Sequence, residues 1–243
     1  MLQIGYRTHK GVVRTHNEDA CFILPEKDIY IVADGVGGRS AGEVASRTCV
    51  YEITQYVNRN SLPEYATAIM VRDYLKDCID KVNDIIYSRE LESEEGQGMA
   101  TTLVLCCVRG NYAYIGHVGD SRAYILRNGK LIQITEDHTY VNALLQAGVI
   151  SSEEARTHEK RHMITRAVGA EKDIKPDFKQ VEIREGDIIL LCTDGLTGEV
   201  DDERIAQILS EDGITMAQAS DRLIKEANDA GGNDNVTAIC LRV

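Results

Sequence analysis

The sequence has little positive charge, little proline and no long apolar stretch. Its 243 residues contain 27 lysines and arginines against 39 aspartates and glutamates, which gives a formal net charge of −12 at pH 7. A chain this acidic repels the phosphate backbone of DNA and RNA, so nucleic acid is excluded as a partner. The presence of only 3 prolines also excludes a collagen-like or proline-rich architecture.

Export and membrane signals are missing as well. The first residues contain no apolar stretch as long as that of a secretory signal peptide, and the longest apolar stretch, at 103–108, is too short to cross a bilayer. The 7 cysteines include no CxxC pair, which favours buried, reduced thiols. We therefore expect a cytoplasmic protein with no membrane partner.

What the sequence does contain is a series of apolar segments joined by short turns. The four residues 25–28 (PEKD) join the segments 20–24 and 29–33. Three further pairs of segments are separated by dipeptides that suit two-residue hairpin loops, where positive φ angles are needed: Gly110-Asn111, Asn128-Gly129 and Gly186-Asp187. Because hairpins join antiparallel neighbours, the predicted sheets are mainly antiparallel.

Helices are predicted between these strands. Apolar residues recur at helical spacing in the segments 41–57, 71–86 and 216–227. The strands 101–108 and 111–118 are apolar almost throughout, which indicates that both of their faces are covered. The predicted fold class is α+β, a layered α-β-β-α sandwich of two mainly antiparallel sheets flanked by helices. No repeat or change in composition divides the chain, so 1–243 is predicted as a single domain.

Aspartates stand at the ends of several predicted strands. Asp34, Asp120 and Asp194 each follow an apolar segment, and Asp234 directly precedes the last one. An aspartate beside glycine can be a turn or capping residue, and that explanation suffices for any one of them. If the strands are neighbours, however, the carboxylates share one cleft and repel one another unless cations bind. Oxygen ligands alone favour Mg²⁺ or Mn²⁺ over Zn²⁺.

Five motifs in one order extend this pattern. They are residues 14–19 (RTHNED), 32–38 (VADGVGG), 116–122 (GHVGDSR), 193–196 (TDGL) and 232–237 (GNDNVT). Together they resemble the motif series of the metal-dependent serine/threonine phosphatases of the protein phosphatase 2C class (the PPM family), in its compact bacterial form. The resemblance extends from Arg14 to Val243 and implies a fold of two antiparallel sheets flanked by helices.

The resemblance implies which residues would hold metal ions. Asp34 would bridge two ions of Mn²⁺ or Mg²⁺, and the backbone carbonyl of Gly35 would complete one of the two sites. Asp194 and Asp234 would hold the other ion. Asp120, together with Asp194, resembles the ligands of a third, looser ion.

Three residues of the first motif take supporting roles by the same resemblance. Glu18 would reach a metal through water, and Asp19 would belong to the outer shell of the site. Arg14 resembles the arginine that binds the substrate phosphate, and its planar guanidinium matches two phosphoryl oxygens at once. The catalytic set implied is therefore Arg14 with three aspartates: Asp34, Asp194 and Asp234.

The implied reaction is hydrolysis of phosphoserine and phosphothreonine in proteins. Two divalent ions lower the pKa of a bridging water, and the resulting hydroxide attacks phosphorus in line while Arg14 and the ions stabilise the charge. The implied partners are phosphorylated proteins, in particular the substrates of a bacterial serine/threonine kinase and the kinase itself. The chain is expected to act as a monomer.

The proton donor for the leaving alkoxide stays open. Some family members carry a histidine just after the Asp-Gly pair, whereas residues 36–39 contain none. A metal-bound water or a mobile histidine such as His162 could serve instead. His162 and Arg161 belong to the segment 145–170, which resembles the family's flap subdomain over the active site. These basic residues could grip a phosphopeptide or could be plain surface charge.

Other enzyme classes and a non-catalytic role compete with this interpretation. Residues 158–162 (HEKRH) satisfy the HExxH pattern of zinc proteases, although the surrounding cations disfavour Zn²⁺. No cysteine is followed six positions later by arginine, which excludes a cysteine-based phosphatase, and no nucleotide-binding glycine loop is present. The remaining alternative is an inactive regulator that binds phosphoproteins with the same fold. The complete set of matching metal ligands argues against it.

Overall fold

The computed structural model describes residues 2–37, 41–92 and 98–243. Its strands are β1 (Gln3–His9), β2 (Asp19–Leu24), β3 (Ile29–Val36), β4 (Ala100–Thr101), β5 (Leu103–Arg109), β6 (Tyr112–Val118), β7 (Arg122–Arg127), β8 (Lys130–Gln133), β9 (Asp177–Glu182), β10 (Ile188–Cys192) and β11 (Val236–Arg242). Its helices are α1 (Ala41–Arg59), α2 (Ala68–Glu92), α3 (Tyr140–Gln146), α4 (Ser152–Thr157), α5 (Asp194–Thr197), α6 (Asp202–Leu209) and α7 (Met216–Ala230).

The strands form two antiparallel sheets that pack face to face. The first sheet has the order β1-β11-β10-β7-β8, and the second has the order β2-β3-β5-β6-β9 with β4 added beside β3. Helices α6 and α7 cover the outer face of the first sheet, and α1 and α2 cover that of the second. A third apolar cluster, which includes Tyr30, Ile115 and Leu191, fills the space between the sheets. The structure confirms the predicted α-β-β-α sandwich.

Alternation along the central strands explains why their sequences are apolar throughout. In β10, Leu190 packs under the helices while Ile189 and Leu191 face the opposite sheet. In β11, Cys240 likewise packs under the helices, and Ile239 faces the opposite sheet. Because successive side chains point to opposite faces of a sheet, a strand covered on both faces needs apolar residues at every position.

Most of the predicted hairpins are confirmed. The loop between β7 and β8 is Asn128-Gly129, with φ angles of 52° and 75°, and it leaves Arg127 opposite Lys130. The hairpins β5–β6 and β2–β3 also form where predicted, the latter through a 3₁₀ turn at Pro25–Lys27.

The hairpin predicted at Gly186-Asp187 is wrong. Strand β9 pairs with β6, whereas β10 pairs with β7 and β11, so this turn carries the chain from one sheet to the other. The turn is closed by the amide of Arg184, which donates to Asp187 Oδ2 at 2.8 Å. This hydrogen bond closes the turn. Strands β9 and β10 on either side of it do not pair with each other, because they belong to different sheets.

The helices α1, α2 and α7 lie at the predicted positions and extend beyond the predicted ends. The shorter helices were not predicted, because four to eight residues give too few turns for the periodicity of apolar residues to emerge. None of the described helices combines the length and the apolar composition that a bilayer span requires.

Candidate active site

The innermost carboxylate is that of Asp19, at the start of β2 and directly opposite Asp34 of β3. The residue is only 5 % exposed. Its Oδ2 accepts hydrogen bonds from the hydroxyls of Thr193, at 2.9 Å, and Thr237, at 2.6 Å. Its Oδ1 is buried and has no hydrogen-bond partner among the described residues. Asp19 therefore joins β2 of one sheet to the β10 and β11 ends of the other and keeps one acceptor oxygen unused.

The other acidic residues surround Asp19, and we call Asp19, Asp34, Asp120, Asp194 and Asp234 the aspartate cluster. Burial raises the pKa of Asp19 to about 7 and that of Asp120 to about 8. Burial also raises the pKa of Asp34 well above its ordinary range, and the charges of Asp19, Asp194 and Asp120 raise it further. The pKa of Asp194 is raised by burial and then by Asp234. Such a cluster is stable at neutral pH only when protons or cations offset the repulsion.

Threonines fix the backbone of Asp34. Its amide donates to the hydroxyl of Thr102 at 3.0 Å, and its carbonyl accepts from the Thr101 hydroxyl and the Thr102 amide, both at 2.8 Å. The same Thr102 hydroxyl lies 2.7 Å from that of Ser121, which follows Asp120. The positions of Asp34 and Asp120 are thus coupled through one buried hydroxyl pair.

Two glycines allow the backbone to approach closely around the cluster. A methyl group on Gly35 would lie 2.1 Å from the carbonyl oxygen of Gly42 in α1. A methyl group on Gly195 would lie 1.9 Å from the carbonyl oxygen of Asn235. Since real side chains cannot approach backbone this closely, the glycine after each of Asp34 and Asp194 is a packing requirement.

Arg14 reaches the cluster from the loop between β1 and β2. Its Nη2 donates to Asp234 Oδ2 at 2.9 Å, and its Nε donates to the carbonyl of Asn233 at 3.4 Å. The side chain is still 53 % exposed, so part of the guanidinium faces solvent and is accessible to a ligand. Glu18 lies beside it: burial raises the pKa of Glu18, whereas the charge of Arg14 lowers it.

Asn235 was not predicted as a site residue, although it belongs to the last motif. Its Nδ2 donates to the carbonyls of Lys10 and His16, at 2.9 and 2.8 Å, and its Oδ1 accepts from the amide of Glu18 at 2.7 Å. This one side chain therefore holds the loop that carries Arg14. The feature of the sequence that could have identified Asn235 as a site residue is its place in the motif GNDNVT, directly after Asp234.

The predicted flap residues Arg161 and His162 are both exposed. His162 is exposed; burial raises the pKa of Asp194, and His162 is one of the groups that act on this carboxyl in the opposite direction. Arg161 is also exposed, and its amide donates to the carbonyl of His158 at 3.1 Å. Residues 158–162 follow the end of α4 and form turns, so the HExxH pattern has no helical face on which to present its histidines.

The cluster fits divalent cations in charge and in donor type. Its side chains offer only oxygen, the set that Mg²⁺ and Mn²⁺ prefer, and Asp19 Oδ1 is an orphaned buried acceptor. Among the described residues no three His, Cys, Asp or Glu side chains are already arranged around one ion position. Asp194 instead lies close enough to Asp34 to raise its pKa, after burial, and Asp234 is paired with Arg14. Cation binding would replace these contacts.

Known proteins share this sequence and fold. The family model described as "Protein phosphatase 2C" matches residues 8–235. The serine/threonine phosphatase stp of Listeria monocytogenes is 38 % identical over 246 residues, which cover 99 % of this chain and 95 % of that protein. The structure of the serine/threonine phosphatase Stp1 from Staphylococcus aureus is similar with a TM-score of 0.93 and 35 % identity, over 100 % of this chain and 95 % of that one.

A second solved structure adds a ligand to the comparison. It is the catalytic domain of the serine/threonine protein phosphatase PstP in complex with 2 manganese ions, with a TM-score of 0.87 and 34 % identity over 99 % of this chain and 97 % of that one. Sequence and fold agree over nearly the whole chain in each comparison. The chain therefore belongs to the protein phosphatase 2C family of serine/threonine phosphatases.

Proposed function

We propose that this phosphatase hydrolyses phosphoserine and phosphothreonine in proteins with the help of two divalent cations, Mn²⁺ or Mg²⁺. Asp34, the carbonyl of Gly35, Asp194 and Asp234 would hold them. The observation that carries the proposal is the burial of the aspartate cluster: burial, and then the mutual repulsion of the carboxylates, raise the pKa of Asp34 and of Asp194. Cations relieve that repulsion, and the two manganese ions bound by PstP support their number.

The remaining acidic residues would support this centre. Asp120, which is 8 % exposed, would hold a third and looser ion together with Asp194. Glu18 would contact a metal through water. Asp19 would remain in the outer shell, because the hydroxyls of Thr193 and Thr237 already hold its Oδ2 and leave Oδ1 as an acceptor.

Bound divalent ions would supply a nucleophile from water at neutral pH by lowering its pKa. The side chains of the chain provide orientation and proton transfer. Arg14 would bind two phosphoryl oxygens with the exposed part of its guanidinium and stabilise the charge on them. His162, an exposed residue of the proposed flap, would donate the proton to the leaving serine or threonine oxygen. A metal-bound water is the alternative donor.

We propose phosphorylated proteins as the substrates, including those of a bacterial serine/threonine kinase and the kinase itself. The names of the relatives as serine/threonine phosphatases support this substrate class. The chain would act in the cytoplasm as a monomeric single domain, 1–243. Its segment 145–170 would be a flap subdomain that contacts substrate through Arg161 and His162.

Hydrolysis of a phosphothreonine peptide tests the proposal. We expect turnover with Mn²⁺, loss of turnover with EDTA, and loss in Asp34→Asn even with Mn²⁺. Asp84→Asn is the matched control, because Asp84 is exposed on α2 and should leave turnover unchanged. Equal, very low rates in all these samples would instead favour the inactive phosphoprotein-binding regulator.

A further inference from the structure

A half-open cavity of about 520 Å³ lies beside the aspartate cluster. It is bounded by the end of α2, by β4, by the last residues of the proposed flap and by the residues that directly follow the flap. Its floor is apolar, with contributions from Val36, Met99, Ala100, Ile164, Ala167 and Ile174. Its volume exceeds that of any single amino-acid side chain, and the proposed reaction uses none of the six.

Strand β3 leads from the catalytic centre to the cavity, because Val36 lines the cavity and Asp34 lies two residues before it. Val36 pairs with Ala100 in the register that places Gly35 opposite Thr101. Val36 is two residues beyond Asp34, and a strand advances about 3.3 Å per residue, so the cavity begins roughly 7 Å from the Asp34 backbone. A peptide bound in extended form covers the same distance in two residues.

The rim of the cavity is acidic. Glu90, Glu171 and Asp173 line it, and none of the three is paired with a lysine or arginine that the structure describes. Of the two cations in the lining, Arg166 is already engaged with Asp177 at 3.2 Å, and Lys175 offsets only one of the three acidic charges. The rim therefore attracts a positively charged ligand.

We propose that this cavity receives an apolar side chain of the substrate phosphopeptide, two residues from the phosphorylated one, with basic residues of the peptide facing the acidic rim. This inference rests on the proposed function. Residues two apart in an extended peptide point to the same side, so the phosphoryl group and the apolar side chain enter the enzyme together. Burial of a leucine side chain contributes about 1.5–3 kcal/mol, which corresponds to a preference of at least about tenfold.

Matched phosphothreonine peptides test the inference. They carry leucine or serine two positions before or two positions after the phosphothreonine, with lysines beyond that position, and p-nitrophenyl phosphate normalises every variant for its catalytic centre. We expect the wild type to prefer leucine about tenfold in kcat/KM on one of the two sides. Ala170→Leu fills the cavity from its exposed rim and should reduce that ratio to about one.

Ala217→Leu is the matched control, because Ala217 is an exposed residue of α7 on the opposite layer, and it should keep the tenfold ratio. Equal kcat/KM for leucine and serine peptides on both sides would overturn the inference, and so would a preference that survives Ala170→Leu. If the wild type with Mn²⁺ fails to hydrolyse even p-nitrophenyl phosphate, the proposed function itself is wrong, and the inference falls with it.

Discussion

The aspartate cluster and the proposed flap are built in opposite ways. Asp19 is buried and bonded to threonines of the other sheet, and Asp34 is fixed by three hydrogen bonds to its backbone. In the proposed flap, α4 has only 6 residues and is mostly exposed. Two backbone bonds, from the Tyr140 amide to Met163 and from the Thr165 amide to His138, close this segment at its base. The aspartate cluster is thus held by many contacts and the proposed flap by few, so the flap is expected to open locally at lower free energy.

The largest effect is expected at Asp34, where Asp34→Asn should lower kcat by a factor of about 10³ or more. The same change removes a charge from the repelling cluster, so it should stabilise the metal-free protein, by roughly 3 °C in Tm for each kcal/mol of relieved repulsion. Turnover with Mn²⁺ and thermal unfolding in EDTA measure the two outcomes. A lower Tm without metal would contradict the charge argument.

Arg14 comes next, because it combines a position at the cluster with an exposed guanidinium. Arg14→Ala should lower kcat/KM for a phosphopeptide about 100-fold, mainly through KM, since hydrogen bonds to charged groups contribute about 1.5–3 kcal/mol. Arg14→Lys keeps the charge and loses the planar fork, so about tenfold is expected. Arg7→Ala breaks a surface ion pair with Asp221 and serves as the control. Unchanged kinetics in Arg14→Ala would remove this residue from the site.

His117 packs against His138, the residue whose carbonyl helps to close the proposed flap at its base. The residue is buried on β6, its ring centroid is 4.5 Å from that of His138, and neither of its nitrogens has a partner among the described residues. Burial, and then the charge of His138, lower the pKa of His117 to about 4, while Asp137 and Asp177 act in the opposite direction. On His138, the Nε2 atom lies 3.1 Å from Nη1 of Arg166.

This buried imidazole should make unfolding depend on pH. The folded protein keeps His117 neutral down to about pH 4, whereas the unfolded chain protonates it below about 6.5, so its contribution to stability is lost as pH falls through that window. From pH 7.5 to 5 the loss is about 2 kcal/mol.

Urea unfolding of the wild type and of His117→Phe at about pH 7.5 and about pH 5 isolates this loss. The carboxylates titrate in both proteins, so their contribution cancels when the two are compared. His158 is only partly buried and serves as the control, so His158→Gln should behave as the wild type does. Identical pH dependence of the wild type and His117→Phe would contradict the assignment.

The smallest effect is expected in the proposed flap itself. Ser151 caps α4 in a capping box with Glu154, and the same device caps α7 through Thr215 and Gln218. Each cap contributes about 1 kcal/mol, so Ser151→Ala should speed amide exchange in α4 about fivefold and leave global stability and turnover of small phosphates unchanged. Thr215→Ala should lower global stability instead, because α7 packs on the core. Hydrogen exchange and urea unfolding distinguish the two.

The sequence predicted the layers of the fold and the aspartates, since strands, turns and strand-end carboxylates are local patterns. It failed at the turn before β10, because a Gly-Asp dipeptide specifies a reversal of the chain and leaves the sheet that follows undetermined. It also missed the partners that hold the site. The hydroxyl of Thr237 bonds to Asp19 across 218 positions, and Asn235 reaches Glu18 across 217. No local periodicity encodes such pairs. The roles assigned to Arg14 and the metal ligands stay predictions.

The position of β11 has a consequence for folding of the chain during its synthesis. This strand is the last in sequence, yet it lies between β1 and β10 within its sheet, and Asp234 and Asn235 directly precede it. While the ribosome still holds these residues, β1 has no neighbour to pair with and the loop of Arg14 has no anchor. The acidic site is therefore expected to assemble only after β11 has been synthesised and has joined its sheet.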